Sequence, residues 1–170
     1  MKIYIKLVLG LFSIIALIAA NWLYSPKDDQ HVHIHAGFKI FINDVEQDYT
    51  DYKYMNFVPC TEHDEKKSRE EEQIEKAHLH DSVGDVVHVH RPQAKWSDLF
   101  KNAKIELPEG ESVKAYVEGK EVADIMNELI VPYSSVTFVV GESKIDHSQE
   151  KVNLEYIKAV ESKSELCGTS

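Results

Sequence analysis

Ala77-His78-Leu79-His80-Asp81-Ser82-Val83-Gly84-Asp85-Val86-Val87-His88-Val89-His90 is the stretch whose reading decides the fold. Two short apolar/His alternations flank a turn built from Asp, Ser, Gly and Asp, which is the pattern of a β-hairpin. Side chains alternate faces along a strand, so His78 and His80 share one face, and His88 and His90 share another. In an antiparallel pair the numbers of facing residues sum to a constant. An even sum (80 with 86, or 80 with 88) puts all four histidines on one face and the Leu and Val residues on the other. An odd sum buries unpaired imidazoles among apolar residues, which is costly, so the even register is expected.

The same rule appears upstream. His31-Val32-His33-Ile34-His35-Ala36-Gly37-Phe38-Lys39-Ile40-Phe41-Ile42 reads as one long strand. Its even positions form an unbroken apolar face, and His31, His33 and His35 stand on the opposite one. Asn43-Asp44 ends it as a turn.

Further along, Thr61 to Lys76 carries seven acids against four bases and reads as an exposed loop or solvated helix. Trp96, Leu99, Phe100 and Ala103 fall at helical spacing and predict a short amphipathic helix. Val113 to Val117 and Val136 to Val140 read as strands, Glu118-Gly119-Lys120 as a tight turn between elements, and Gln149 to Leu166 as a terminal helix. Ile125 to Val131 fits helix or strand. The sum is an α+β fold, with a mainly antiparallel or mixed β-sheet, a short helix after the His hairpin and a C-terminal helix.

The N-terminus has a different composition. Lys2 and Lys6 precede a run from Leu7 to Tyr24 without charge, at the short end of the about 20 residues that span a bilayer. Trp22 and Tyr24 sit where an interfacial aromatic belt falls, and the lysines place the N-terminus in the cytoplasm. Neither Leu17 nor Ile18 suits the −3 position of a cleavage site. The expected reading is therefore an uncleaved signal anchor, one transmembrane helix, with cleavage as the alternative. The organisation expected is an anchor over residues 1–25, a linker over 26–30, a His-rich extracytoplasmic domain over 31–145, and a C-terminal helix and tail over 146–170. The membrane is thus the expected partner, with no protein partner specified.

The chain of 170 residues carries a net charge of −10, which excludes nucleic acid as a partner and suits cations. Cys60 and Cys167 have one intramolecular pairing open to them outside the cytoplasm. The competing readings are Cys60 as a soft metal ligand and Cys167 as a free tail thiol. No Cys-x-x-Cys is present to support thioredoxin-type chemistry.

Of nine histidines, seven fall in the clusters 31/33/35, 78/80 and 88/90, whereas His63 and His147 stand alone in polar segments and read as surface residues. A His-x-His pair on a strand projects two imidazoles the same way, and a third from a neighbouring strand completes a His₃ metal site. Candidate ligands are thus His31, His33, His35, His78, His80, His88 and His90, with zinc or copper as the expected ion. Asp81 and Asp85 are candidates either to orient imidazole N–H groups or to hold the turn. Metal handling or sensing is the first reading. The alternatives are a metal-dependent hydrolase or cupin-like enzyme, and a metal-free structural or interaction module with a pH-responsive His face. No Gly-x-Ser-x-Gly, phosphate loop or His-Glu-x-x-His supports other catalysis.

His33-Ile34-His35-Ala36-Gly37-Phe38, Asn43-Asp44, Tyr54-Met55 and the stretch from His78 to His90 also resemble a family of small membrane-anchored extracytoplasmic His-rich proteins. Its pattern is His-x-His-Ala-x-Phe and Asn-Gly, then His-x-His-Asp-x-x-Gly-x-x-x-His-x-His. The likeness covers residues 31–141. The chain departs from the pattern at Asp44 and at Glu118-Gly119, where Asn-Gly turns are expected. The Thr61–Lys76 segment looks like an insertion. The family is uncharacterised, and some members carry a disulfide-isomerase label. The resemblance implies the architecture and the importance of the His pairs, and it implies no reaction.

Overall fold

A strand whose alternate residues are Ile34, Ala36, Phe38, Ile40 and Ile42 needs a core on that side, and β1 (Ile34–Ile42) supplies the centre of the sheet. The computed structural model describes residues 32–56 and 67–163, all within one unit that spans His31–Ser170. The expected anchor and linker, His31, His63, Cys60 and Cys167 lie outside the described residues. Among the described residues no helix is long and apolar enough to cross a membrane.

Among the described residues six strands form one mixed sheet. They are β1, β2 (Val45–Glu46), β3 (Val86–Val89), β4 (Val113–Val117), β5 (Lys120–Glu121) and β6 (Ser135–Val140), in the order β2-β1-β6-β4-β5, with β3 also on β1. β1 and β6 run parallel from Gly37↔Ser135 to Ile42↔Val140. On its other edge β1 runs antiparallel to β3, with His35 opposite His88. Strand and hairpin histidines are therefore neighbours across the sheet.

The hairpin is shorter than its sequence pattern predicts. Its first arm is a single antiparallel bridge, His78↔His88, closed by two backbone hydrogen bonds of 2.9 Å. The register is the expected even one, equivalent to 80 with 86. Leu79, Val87 and Val89 accordingly enter the main core while the histidines face away from it. Asp81 and Ser82 take left-handed φ of 55° and 57°, and Val83 N–H donates to His80 O at 3.0 Å, closing a type I′ turn. Gly84 follows because a Cβ there would lie 2.5 Å from the Tyr49 carbonyl carbon and 2.6 Å from Thr50 N.

Among the described residues there are three α-helices, α1 (Arg69–Lys76), α2 (Trp96–Asn102) and α3 (Leu154–Lys163); α1 packs on α2, and α3 packs on β1. The amphipathic helix predicted after the hairpin is α2. Its Trp96, Leu99 and Phe100 pack with Phe38, Ile40 and Phe138 in the main core. In the described part of the expected charged segment, Lys67 to Lys76, one acid is less solvated than its charge implies. Ser68 and Glu71 form a capping box at the start of α1. The carboxylate of Glu75 is buried between Lys67 and Arg91, whose Nε donates to it at 2.8 Å. Asn102 of α2 donates to Gln73 O and Ala77 O, both at 2.7 Å, and so satisfies carbonyls at the end of α1.

The back of β1, expected to be its polar face, is covered as well. The C-terminal segment lies along it in the opposite sense, and α3 contributes Ile157 and Val160 to a second small core with Val86 and Val152. A Cβ at Gly37 would lie 2.5 Å from Val152 Cβ, so the close approach needs glycine there. His147 is not a surface residue. It is buried, stacks on Phe41 with ring centroids 3.9 Å apart, and its Nε2 lies 3.0 Å from Asp44 Oδ1.

Candidate metal centre

At the N-terminal end of β1, His35 and, just before the strand, His33 lie on the back face, together with His88 of β3, His90 just after it, and His78 and His80 of the hairpin's first arm. All six rings meet there. His88 is the hub, with ring centroids 4.3 Å from His35 and from His90, 4.5 Å from His80, 4.6 Å from His33 and 5.2 Å from His78. His35, His88 and His90 are each 1% exposed and His78 is 5%, while His33 is open to solvent.

Two overlapping triads have the separations a metal ion needs. In His33/His35/His88 and in His78/His80/His88, one ligand nitrogen per residue lies within 4.8 Å of the other two. Zinc takes imidazole nitrogens at about 2.0–2.1 Å, so the rings of a triad draw closer together when an ion binds. His90 packs against His33, His78 and His88 but joins neither triad.

Hydrogen bonds fix which nitrogens are available. Ile74 O lies 3.1 Å from His78 Nδ1. A carbonyl only accepts, so the proton is on Nδ1 and the Nε2 lone pair is left free. Asp81 Oδ2 lies 2.7 Å from His80 Nδ1 and holds that ring in the same tautomer. The Nε2 of His80 in turn abuts His88 Nδ1. A carboxylate behind the far nitrogen of a ligand imidazole is the usual support of a metal-binding His. Of the two turn aspartates, Asp81 takes this position. Asp85 does not: Tyr156 OH donates to its Oδ1 at 3.3 Å. The sequence reading had no means of finding Ile74 O, or Glu161, whose Oε1 lies 3.7 Å from His35 Nδ1. Glu161 stands one turn beyond Ile157 on α3, a signal that becomes useful only once that helix is known to lie on β1.

Burial first, then the His33 charge, pushes His35 down to about 4, against an opposing pull from Glu161. His78 is also lowered to about 4, by burial and then by His80. Burial, then His90 and the other neighbours, holds His88 far below the ordinary imidazole value. These rings are neutral at pH 7, the form that binds metal. At the hub of the cluster, His88 Nε2 is buried without a hydrogen-bond partner. Leaving it so costs about 1–3 kcal/mol, and an all-imidazole set that includes such an atom fits a borderline transition-metal ion. The surface cavities beside Tyr49 and Lys53, beside Gly84 and Tyr156, and beside Gly141 and His147 are lined by none of the six.

No protein-family model, curated protein or solved structure matches the chain.

Proposed function

We propose that the protein is a membrane-anchored extracytoplasmic metal-binding protein whose buried imidazole cluster holds zinc or copper for handling or sensing. The observation that carries the reading is the pair of His triads meeting at His88, whose Nε2 is buried and unsatisfied. Neutral rings, the Asp81 carboxylate behind His80 and the chain's net charge of −10 all favour a cation there. Holding is favoured over turnover. A catalytic ion needs an open position that substrate reaches, whereas His35, His78, His88 and His90 are buried. The anchor reading is supported by the uncharged Leu7–Tyr24 run behind Lys2 and Lys6, and by the resemblance of residues 31–141 to membrane-anchored extracytoplasmic proteins.

The test is elemental mass spectrometry on the full chain, purified without a polyhistidine tag and incubated with zinc or copper. A variant with His78, His80, His88 and His90 changed to Ala serves as comparison. Stoichiometric metal in the first and none in the second supports the proposal. No metal in either overturns it and leaves a metal-free structural or pH-responsive module.

A further inference from the structure

Two triads that share a residue pose a question of stoichiometry. An imidazole gives one lone pair to one ion from each nitrogen, so a shared His88 serves both triads at once only if its two nitrogens serve different ions. The surroundings of His88 fit that arrangement. Its Nδ1 abuts His80 Nε2, within the 78/80/88 triad. Its Nε2 is buried and has no protein partner. The ring is held from both edges of β3: His88 N and O pair with His78, and His88 lies opposite His35 in the β1 ladder. A side chain placed so centrally, with one nitrogen committed to one triad and the other unsatisfied, is built as a link.

We propose that the cluster is a two-ion centre in which the His88 ring bridges one transition-metal cation, held with His78 and His80, to a second cation held with His33 and His35. The inference rests on the metal-binding reading of the same six rings and specifies its stoichiometry. When both His88 nitrogens bind metal, the ring's one N–H proton passes to water and the bridge is an imidazolate. The two positions differ in access. His33 is exposed whereas His78 is buried, so the His33/His35 ion exchanges with solvent faster than its partner. A centre with one enclosed and one exchangeable ion suits delivery, because the outer ion leaves without dismantling the inner site.

The experiment titrates the full tag-free chain, stripped of metal, with copper(II) and follows it by electron paramagnetic resonance. The expected result is two equivalents bound, with the spin signal of the first equivalent falling as the second binds, since an imidazolate couples the two spins. His33→Ala, at an exposed position that leaves the fold undisturbed, weakens the second equivalent by about tenfold or more and restores the uncoupled signal of the first. His88→Ala abolishes coupling. One equivalent only, or two that stay magnetically independent in the unaltered chain, overturns the bridge while leaving the metal site standing. No copper bound at all overturns both the bridge and the metal-binding reading beneath it.

Discussion

Acidifying the metal-free protein from pH 7.5 to pH 5 removes a large part of its stability. His35 and His78 sit at about 4 in the fold against 6.5 for an ordinary imidazole. The unfolded chain therefore takes up these protons first, and protons favour unfolding. The contribution is fully present above pH 6.5 and is lost as pH falls towards 4. Linkage gives about 2 kcal/mol for each ring at pH 5 and about 3 kcal/mol each below pH 4. His88 is shifted in the same direction. The lowered carboxyl groups act elsewhere: Asp44, held down to about 2 by its Ser143 and Lys144 hydrogen bonds, matters only below its ordinary 3.8. Two rings together therefore remove roughly 4 kcal/mol at pH 5 from a total of about 5–15 kcal/mol, a fall in Tm of about 10 °C or more. The assay is scanning calorimetry of chelator-treated protein at pH 7.5, 6.5, 5.5 and 5.0. Saturating zinc, which competes with protons for the same nitrogens, moves the fall to lower pH. A metal-free Tm that stays constant across this range would refute the picture of buried neutral imidazoles.

Four further outcomes are expected. Asp81→Asn keeps the left-handed turn but removes the carboxylate behind His80 Nδ1, so zinc affinity in a chelator-competition titration falls by about 10–100-fold with the Tm of the metal-free chain unchanged. Gly37→Val drives a side chain into Val152 and Ile157 and lowers unfolding free energy in urea by about 1–3 kcal/mol; a neutral result means that α3 does not lie on β1. Asn102→Ala strips the Gln73 and Ala77 carbonyls of their donor and costs about 1–3 kcal/mol in the same assay, whereas a change within about 0.5 kcal/mol removes the cap from the account. The full chain stays in the pellet after alkaline carbonate extraction of membranes, and release into the supernatant contradicts the anchor.

How much of this was legible in the sequence depends on the range of the interactions. Alternation is local, so the shared faces of His33 with His35 and of His78, His80, His88 and His90 followed from spacing, and the even register from the cost of burying imidazoles among apolar residues. Trp96, Leu99 and Phe100 announced their helix in the same way. That β1 and the hairpin lie side by side is a non-local fact which no spacing encodes. The cover over the back of β1 was hidden because Val152, Ile157 and Val160 are diluted among charges. It takes the missing side chain at Gly37 to show what they pack on. His147 read as a surface residue because its partner Asp44 is 103 positions away. Glu75 read as solvated for a similar reason, since Arg91 reaches it only after the hairpin has formed. In the site, alternation marked the rings, but their tautomers depend on Ile74 O and Asp81, which only the folded turn brings into place.

X-ray absorption at the zinc edge of the loaded, tag-free full chain tests the central claim most directly. The account predicts a first shell dominated by nitrogen at about 2.0–2.1 Å, with the outer-shell scattering of several imidazole rings, and the loss of that scattering when His78, His80 and His88 are changed to Ala. A sulfur shell at about 2.3 Å, pointing to Cys60 or Cys167, or a shell of oxygen without imidazole scattering, would contradict it.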